Sequence, residues 1–168
     1  MSNRPKFSIC NRDTISTKCF GFKHHLISIH SPEDSPPTLP PCENRLDVLT
    51  LGFSDINYIP KDPNVAKAMM ADVIKEIHVV YFDDKMAKQI LDFVKKRYDD
   101  GNDYVIHCDA GISRSPGVAA ALSKIYLNDD NWYFERYLPN SLVYTIILKL
   151  YYDLYYRRPK SEFDDMFI

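Results

Sequence analysis

A chain of 168 residues with 45% hydrophobic and 26% charged content is long enough for one domain with a sizeable core, and its composition is that of a soluble globular protein. Its 21 Lys and Arg against 23 Asp and Glu leave a net charge of -2, which excludes a global electrostatic footprint for nucleic acid or an anionic membrane. No apolar run approaches the length of a membrane span, and the start MSNRPKF lacks the apolar core of a secretory signal, so a cytoplasmic protein is expected. Lys6 to Cys10 and Leu26 to His30 group apolar residues over short spans and read as the first strands of a central sheet, with CFGFKHH as a turn-rich connection. The four cysteines, Cys10, Cys19, Cys42 and Cys108, are scattered, and their even count is not read as a disulfide framework. Cys10, Cys19, His24 and His25 are metal-ligand types without a paired ligand spacing, so no metal site is assigned to them.

Ser31 to Cys42 holds five of the 11 prolines and must be a loop, best read as a stiff wall beside a site. Arg45 to Phe53 alternates Leu46, Val48 and Thr50 with Leu49 and Leu51 and reads as a buried strand ending at Gly52. Asp62 to Ile77, with Val65, Met69, Ile74 and Ile77 near one face, and Asp83 to Tyr98, with Met86, Ile90, Phe93 and Val94 near another, read as helices. Asp83 and Asp84 suit the N-cap and first turn of the second of these, and Asp100-Gly101-Asn102 suits its end. The aromatic segment from Asn131 carries the sole tryptophan, Trp132. Leu138-Pro139-Asn140 breaks it, and Asn140 or Ser141 can cap a last helix with a face of Val143, Ile146, Ile147, Leu150 and Leu154.

The chemistry concentrates in YVIHCDAGISRSPGVAAA, Tyr104 to Ala121. Three β-prone residues lead to His107-Cys108, five residues follow to Arg114-Ser115, and a small-residue helix begins near Pro116, with Val118, Ala119, Leu122 and Ile125 as a narrow apolar face stopped by Asn128 to Asn131. Backbone N–H groups at a helix start point outward without partners and favour an anion. A cysteine there, next to cationic groups, can have its pKa lowered from about 8.5 to roughly 3.5–7.5, and the thiolate is the nucleophile. Arg114 offers a planar fork for two oxygens of a phosphate, Gly111 permits a sharp turn and close approach, and Pro116 fits a first helical turn. A lone cysteine after a strand is most often a small core residue. Here five residue types occupy linked positions.

His107-Cys108-(five residues)-Arg114-Ser115 resembles the HCx5RS phosphate-binding loop of cysteine-dependent protein phosphatases, particularly the small dual-specificity group. The resemblance extends from about Leu26 to about Tyr156 and is specific at the loop. It implies Cys108 as nucleophile, Arg114 on the equatorial oxygens, Ser115 assisting departure of the thiolate and His107 supporting the thiolate indirectly. It also implies no metal or other cofactor, and a phosphate cradle of Asp109, Ala110, Gly111, Ile112, Ser113 and Arg114. The reaction needs an acid for the leaving oxygen. Asp55, just after the strand that ends at Gly52, fits best because ligands of open α/β sheets gather at the strands' C-terminal edge; Asp62, Asp72, Asp83 and Asp84 are the alternatives.

Strands alternating with helices predict a three-layer α/β domain with a mostly parallel central sheet over residues 1–158 and a charged tail over 159–168. The expected activity is hydrolysis of phosphotyrosine, extending to phosphoserine and phosphothreonine in a shallow pocket, on a phosphorylated protein or peptide partner by a monomer. One acid and no lysine inside the loop favour a single phosphate over highly phosphorylated ligands. The alternative is a phosphate-recognition module with weak or no turnover. Sulfurtransferase and arsenate reductase chemistry is disfavoured by the Arg114-Ser115 pair and by the lack of a second cysteine close in sequence.

Overall fold

The computed structural model of the chain describes residues 4–58 and 79–156. Strands β1 (Phe7–Asn11), β2 (His24–His30), β3 (Arg45–Gly52) and β4 (Asp103–Cys108) form one sheet in the order β1-β4-β2-β3. Every pairing is parallel, with Phe7 opposite Tyr104, Leu26 opposite Val105 and Ile27 opposite Leu49. Around it lie α1 (Arg12–Thr17), α2 (Asp84–Lys95), α3 (Arg114–Leu127), α4 (Asn131–Arg136) and α5 (Ser141–Tyr155). Alternation along the strands divides the core between the two faces of the sheet. Ile27, Ile29, Tyr104, Ile106 and Cys108 join the large cluster with α2, α3 and α5, whereas Leu26 and Val105 pack on Ile15 of α1 with Phe20 and Leu39. The sheet thus lies between a thick helical layer and a thin one.

Three sequence expectations need correction here. Among the described residues β3 is an edge strand rather than a buried one: it pairs there only with β2, and Leu46 and Val48 are exposed while Leu51 is buried. Edge position leaves one flank of a strand without a neighbour, so apolar alternation alone did not report depth. α3 starts at Arg114, and residues 114–123 are all buried, so it has no narrow apolar face; it is a central helix enclosed by the sheet, α4 and α5. Leu154 on α5 is about half exposed, and the buried face of that helix is carried by Val143 and Ile147.

Local chemistry sets the helix ends. Asn11 caps α1 by accepting from Thr14 N at 2.9 Å, and Asp83 caps α2 by accepting from Met86 N at 2.8 Å. Gly101 at φ 72° ends the 3-10 turn Tyr98–Asp100 before β4, and Asn128 at φ 57° ends α3. In the aromatic segment, the buried Tyr133 donates its hydroxyl to Phe7 O at 2.7 Å and ties α4 to β1.

Cys19 and Cys42 form a disulfide that joins the segment after α1 to the end of the proline-rich loop, a pairing the scattered spacing did not suggest. A disulfide is at odds with the cytoplasmic location expected from the sequence, where thiols are kept reduced. The helix expected over Asp62 to Ile77 and the charged tail lie outside the described residues. No helix among the described residues is long and apolar enough to cross a membrane.

Candidate active site

β4 lies inside the sheet, between β1 and β2, and delivers Cys108 to its C-terminal end, 2% exposed. The chain then turns through 109–113 into α3. Gly111 takes φ 72°, and a Cβ there would meet Cys10 O at 3.0 Å, so both the backbone conformation and the space call for glycine. Among the described residues the N–H groups of Asp109, Ala110, Gly111, Ile112 and Ser113 donate to no acceptor. The carbonyls of the same turn are used: Arg12 N donates to Asp109 O at 3.1 Å, Leu138 N to Ile112 O at 3.1 Å, and both Gly117 N and Asn140 N to Ser113 O at 2.9 Å. A loop with three of its five carbonyls engaged and its donors open has the makings of an anion cradle.

Cys108 Sγ lies 3.1 Å from Ser115 Oγ, and Ser115 is fully buried. His107 points to the other side, where Nε2 is 2.7 Å from Ser28 Oγ; burial pushes its pKa down to about 4, so the ring is neutral near neutral pH. Cys10, across from His107 on β1, is the other free thiol among the described residues. Burial, with the nearby Cys108 adding to it, pushes the Cys10 thiol up to about 12 and keeps it protonated.

Arg114 is 5% exposed, and its bonding is directional. Nη1 donates to Phe53 O at 2.9 Å and to Ser31 Oγ at 3.2 Å, and Nη2 donates to Asp109 Oδ2 at 2.5 Å. Ser31 Oγ in turn donates to Asp109 Oδ2 at 2.9 Å, so Ser31 and Asp109 sit together on the Nη1–Nη2 end of the guanidinium. The group has five N–H donors. The remaining Nε, buried and without an acceptor among the described residues, and the second N–H of Nη2 share the other edge, the one suited to two oxygens of an oxyanion.

Asp55, on the loop after β3, accepts from Ser113 Oγ at 2.6 Å and from Asn140 Nδ2 at 2.9 Å, both on Oδ1. Oδ2 accepts nothing among the described residues. The structure therefore brings Cys108, Arg114, Ser115, Asp109 and Asp55 to one sheet edge, with Ala110, Gly111, Ile112 and Ser113 between them. Asp83 instead caps α2, and Asp62 and Asp72 lie outside the described residues.

Four contributors escaped sequence reasoning. Asn140 was legible as a helix cap, and Val143 N does donate to its Oδ1 at 3.0 Å, but the same side chain also donates to Asp55 and to Ile56 O. Arg12, whose Nη1 donates to Asp109 Oδ1 at 3.2 Å, is 97 residues away in sequence. Ser31 opens the proline-rich loop, so that loop does border the site, and Phe53 contributes through its carbonyl alone, which no residue type signals.

No protein-family model matches the chain, and no curated protein matches it in sequence. Solved structures are similar in shape. The human tyrosine phosphatase-like serine/threonine/tyrosine-interacting protein superposes with a TM-score of 0.50 at 16% identity, over 82% of this chain and 80% of that one. Tk-PTP in its active form gives 0.48 at 16% identity over 92% and 93%, and PTPMT1 in complex with PI(5)P gives 0.48 at 12% over 79% and 78%. At such identities the likeness concerns architecture alone, which in this chain is a parallel sheet with helices on both faces. The chain has a phosphatase-like α/β fold.

Proposed function

We propose that the chain is a phosphomonoester hydrolase that acts on phosphorylated proteins, phosphotyrosine first, through a cysteinyl-phosphate intermediate. One observation carries the reading: in the turn that starts at Cys108 the N–H groups of residues 109–113 find no acceptor among the described residues, and Arg114, which ends the turn, keeps a buried Nε without an acceptor while its Nη2 is held by Asp109. Such donors are aimed at charge on the non-bridging oxygens, where preorganised hydrogen bonds are worth most.

In the first step the Cys108 sulfur attacks phosphorus, the S–P bond forms as the ester P–O bond breaks, and the leaving oxygen takes a proton from Asp55. Asp55 Oδ2 is suited to carry that proton because Oδ1 is already held by Ser113 and Asn140. In the second step Asp55 takes a proton from water as the water oxygen attacks phosphorus. The S–P bond then breaks, releasing inorganic phosphate, and the departing sulfur is stabilised by Ser115 Oγ at 3.1 Å. Substrate class follows from charge. The loop carries Asp109 and no lysine, which suits one phosphate better than several.

Hydrolysis of a small aryl phosphate in the presence of chelator tests the reading. Turnover by the unaltered protein that disappears in Cys108→Ser is expected. Absent turnover with retained binding of orthovanadate would replace the enzyme by a phosphate-recognition module.

A further inference from the structure

The mechanism above leaves the Asp109 carboxylate without a task, although it lies between two guanidinium groups. Its Oδ2 takes the Nη2 donor of Arg114 at 2.5 Å and the Ser31 hydroxyl at 2.9 Å, while its Oδ1 takes Arg12 Nη1 at 3.2 Å. Its main chain is fixed by the same arginine, since Arg12 N donates to Asp109 O at 3.1 Å. Arg12 is anchored further by donating Nη2 to Ser35 O at 2.6 Å. An acid inside an anion cradle should repel the ligand. Here the carboxylate is held on the end of Arg114 that the oxyanion does not need.

We propose that Asp109 is a positioning residue that aims Arg114, with Arg12 and Ser31 holding Asp109 in place. With Phe53 O and Ser31 Oγ on Nη1, Asp109 fixes the plane of the guanidinium so that the Nε–Nη2 edge faces the equatorial oxygens of the transferring phosphoryl group. The inference rests on the oxyanion reading of the loop. It assigns Arg12, remote in sequence and absent from the loop motif, to the support of Arg114.

The opposite possibility is that Asp109 competes with phosphate for Arg114, and the two differ in sign. Aryl phosphate kinetics, inhibition by orthovanadate and thermal midpoints would be compared for the unaltered protein, Asp109→Ala, Asp109→Asn, Arg12→Gln and the Asp109→Ala/Arg12→Gln pair. A positioning role predicts that Asp109→Ala loses about 30-fold in kcat and in vanadate affinity with KM much less changed, since the aim of the fork matters most in the transition state. Asp109→Asn keeps an acceptor for Arg114 and should recover most of that loss. Arg12→Gln should cost about threefold or more alone and little in the Asp109→Ala background, because its path to Arg114 runs through Asp109. Tighter vanadate binding by Asp109→Ala or Asp109→Asn overturns the inference, as does an equal cost of Arg12→Gln in both backgrounds. Should Asp109→Ala fail to fold, Asp109→Asn still decides the sign: affinity raised contradicts positioning, and affinity kept or modestly lowered supports it. If orthovanadate does not inhibit the unaltered protein, the oxyanion reading itself falls; normal inhibition of the unaltered protein and of Asp109→Ala alike removes only the role of Asp109.

Discussion

His107, next to Cys108 in the chain, shows how burial governs a titratable side chain. Its ring is buried with Nε2 at Ser28, and burial lowers its pKa from 6.5 to about 4. A basic group with a depressed folded-state pKa contributes stability that is fully present above pH 6.5 and is lost as pH falls from 6.5 through about 4. The span corresponds to roughly 3 kcal/mol as an upper figure. Chemical denaturation at pH 7 and pH 4.5 should therefore show a larger loss for the unaltered protein than for His107→Gln, and equal losses would contradict the burial account. Cys108, Arg114 and Ser115 were legible as candidates because the motif fixes their spacing. The open edge of Arg114 was not, since it depends on Phe53 O, Ser31 and Asp109 arriving from separate segments.

Between the residue and the fold, the start of α5 is the element that joins Asp55 to the loop after Cys108. Asn140 caps α5, donates to Asp55 and, through its backbone N–H, to Ser113 O. Gly117 on α3 allows this approach, since a Cβ there would meet Asn140 O at 2.8 Å. Asn140→Ala should cost about 1 kcal/mol through the lost cap, and more through the unsatisfied buried groups it leaves. It should also slow turnover of esters with poor leaving groups more than of esters with good ones, because Asp55 loses one of its two anchors and keeps only Ser113. A uniform change across leaving groups would separate Asn140 from the acid. Gly111→Ala should weaken vanadate inhibition strongly, since φ 72° and the nearby Cys10 carbonyl both oppose a side chain. Helix periodicity made α2 and α5 readable, and cap residues located their starts. It could not show that the first ten residues of α3 are all buried or that β3 lies at an edge among the described residues, because both depend on which elements become neighbours in space. α1 escaped as well: its six residues give little periodicity, and its core contribution is the single buried Ile15.

Across the whole molecule, the parallel sheet gathers the ends of β3 and β4 at one edge, and the Cys19–Cys42 disulfide braces the proline-rich loop that brings Ser31 there. The bridge closes a loop with a sequence separation of 23 residues. On the chain-entropy view this restrains the unfolded chain by about 3 kcal/mol. Cys19→Ser combined with Cys42→Ser should lower the denaturation midpoint accordingly, with Cys108 still available for oxyanion binding; an unchanged midpoint would remove the brace from the account. The α/β class was readable from alternating strands and helices, but the disulfide was not, because two cysteines in irregular segments carry no spacing signal. Rapid acid quenching of the protein with an aryl phosphate, followed by mass spectrometry of its peptides, reads whether Cys108 carries the phosphoryl group during turnover. Phosphate on Cys108 is expected, with more accumulating in Asp55→Asn given a substrate with a good leaving group. Sustained turnover with no phosphate on Cys108 would exclude the cysteinyl-phosphate route.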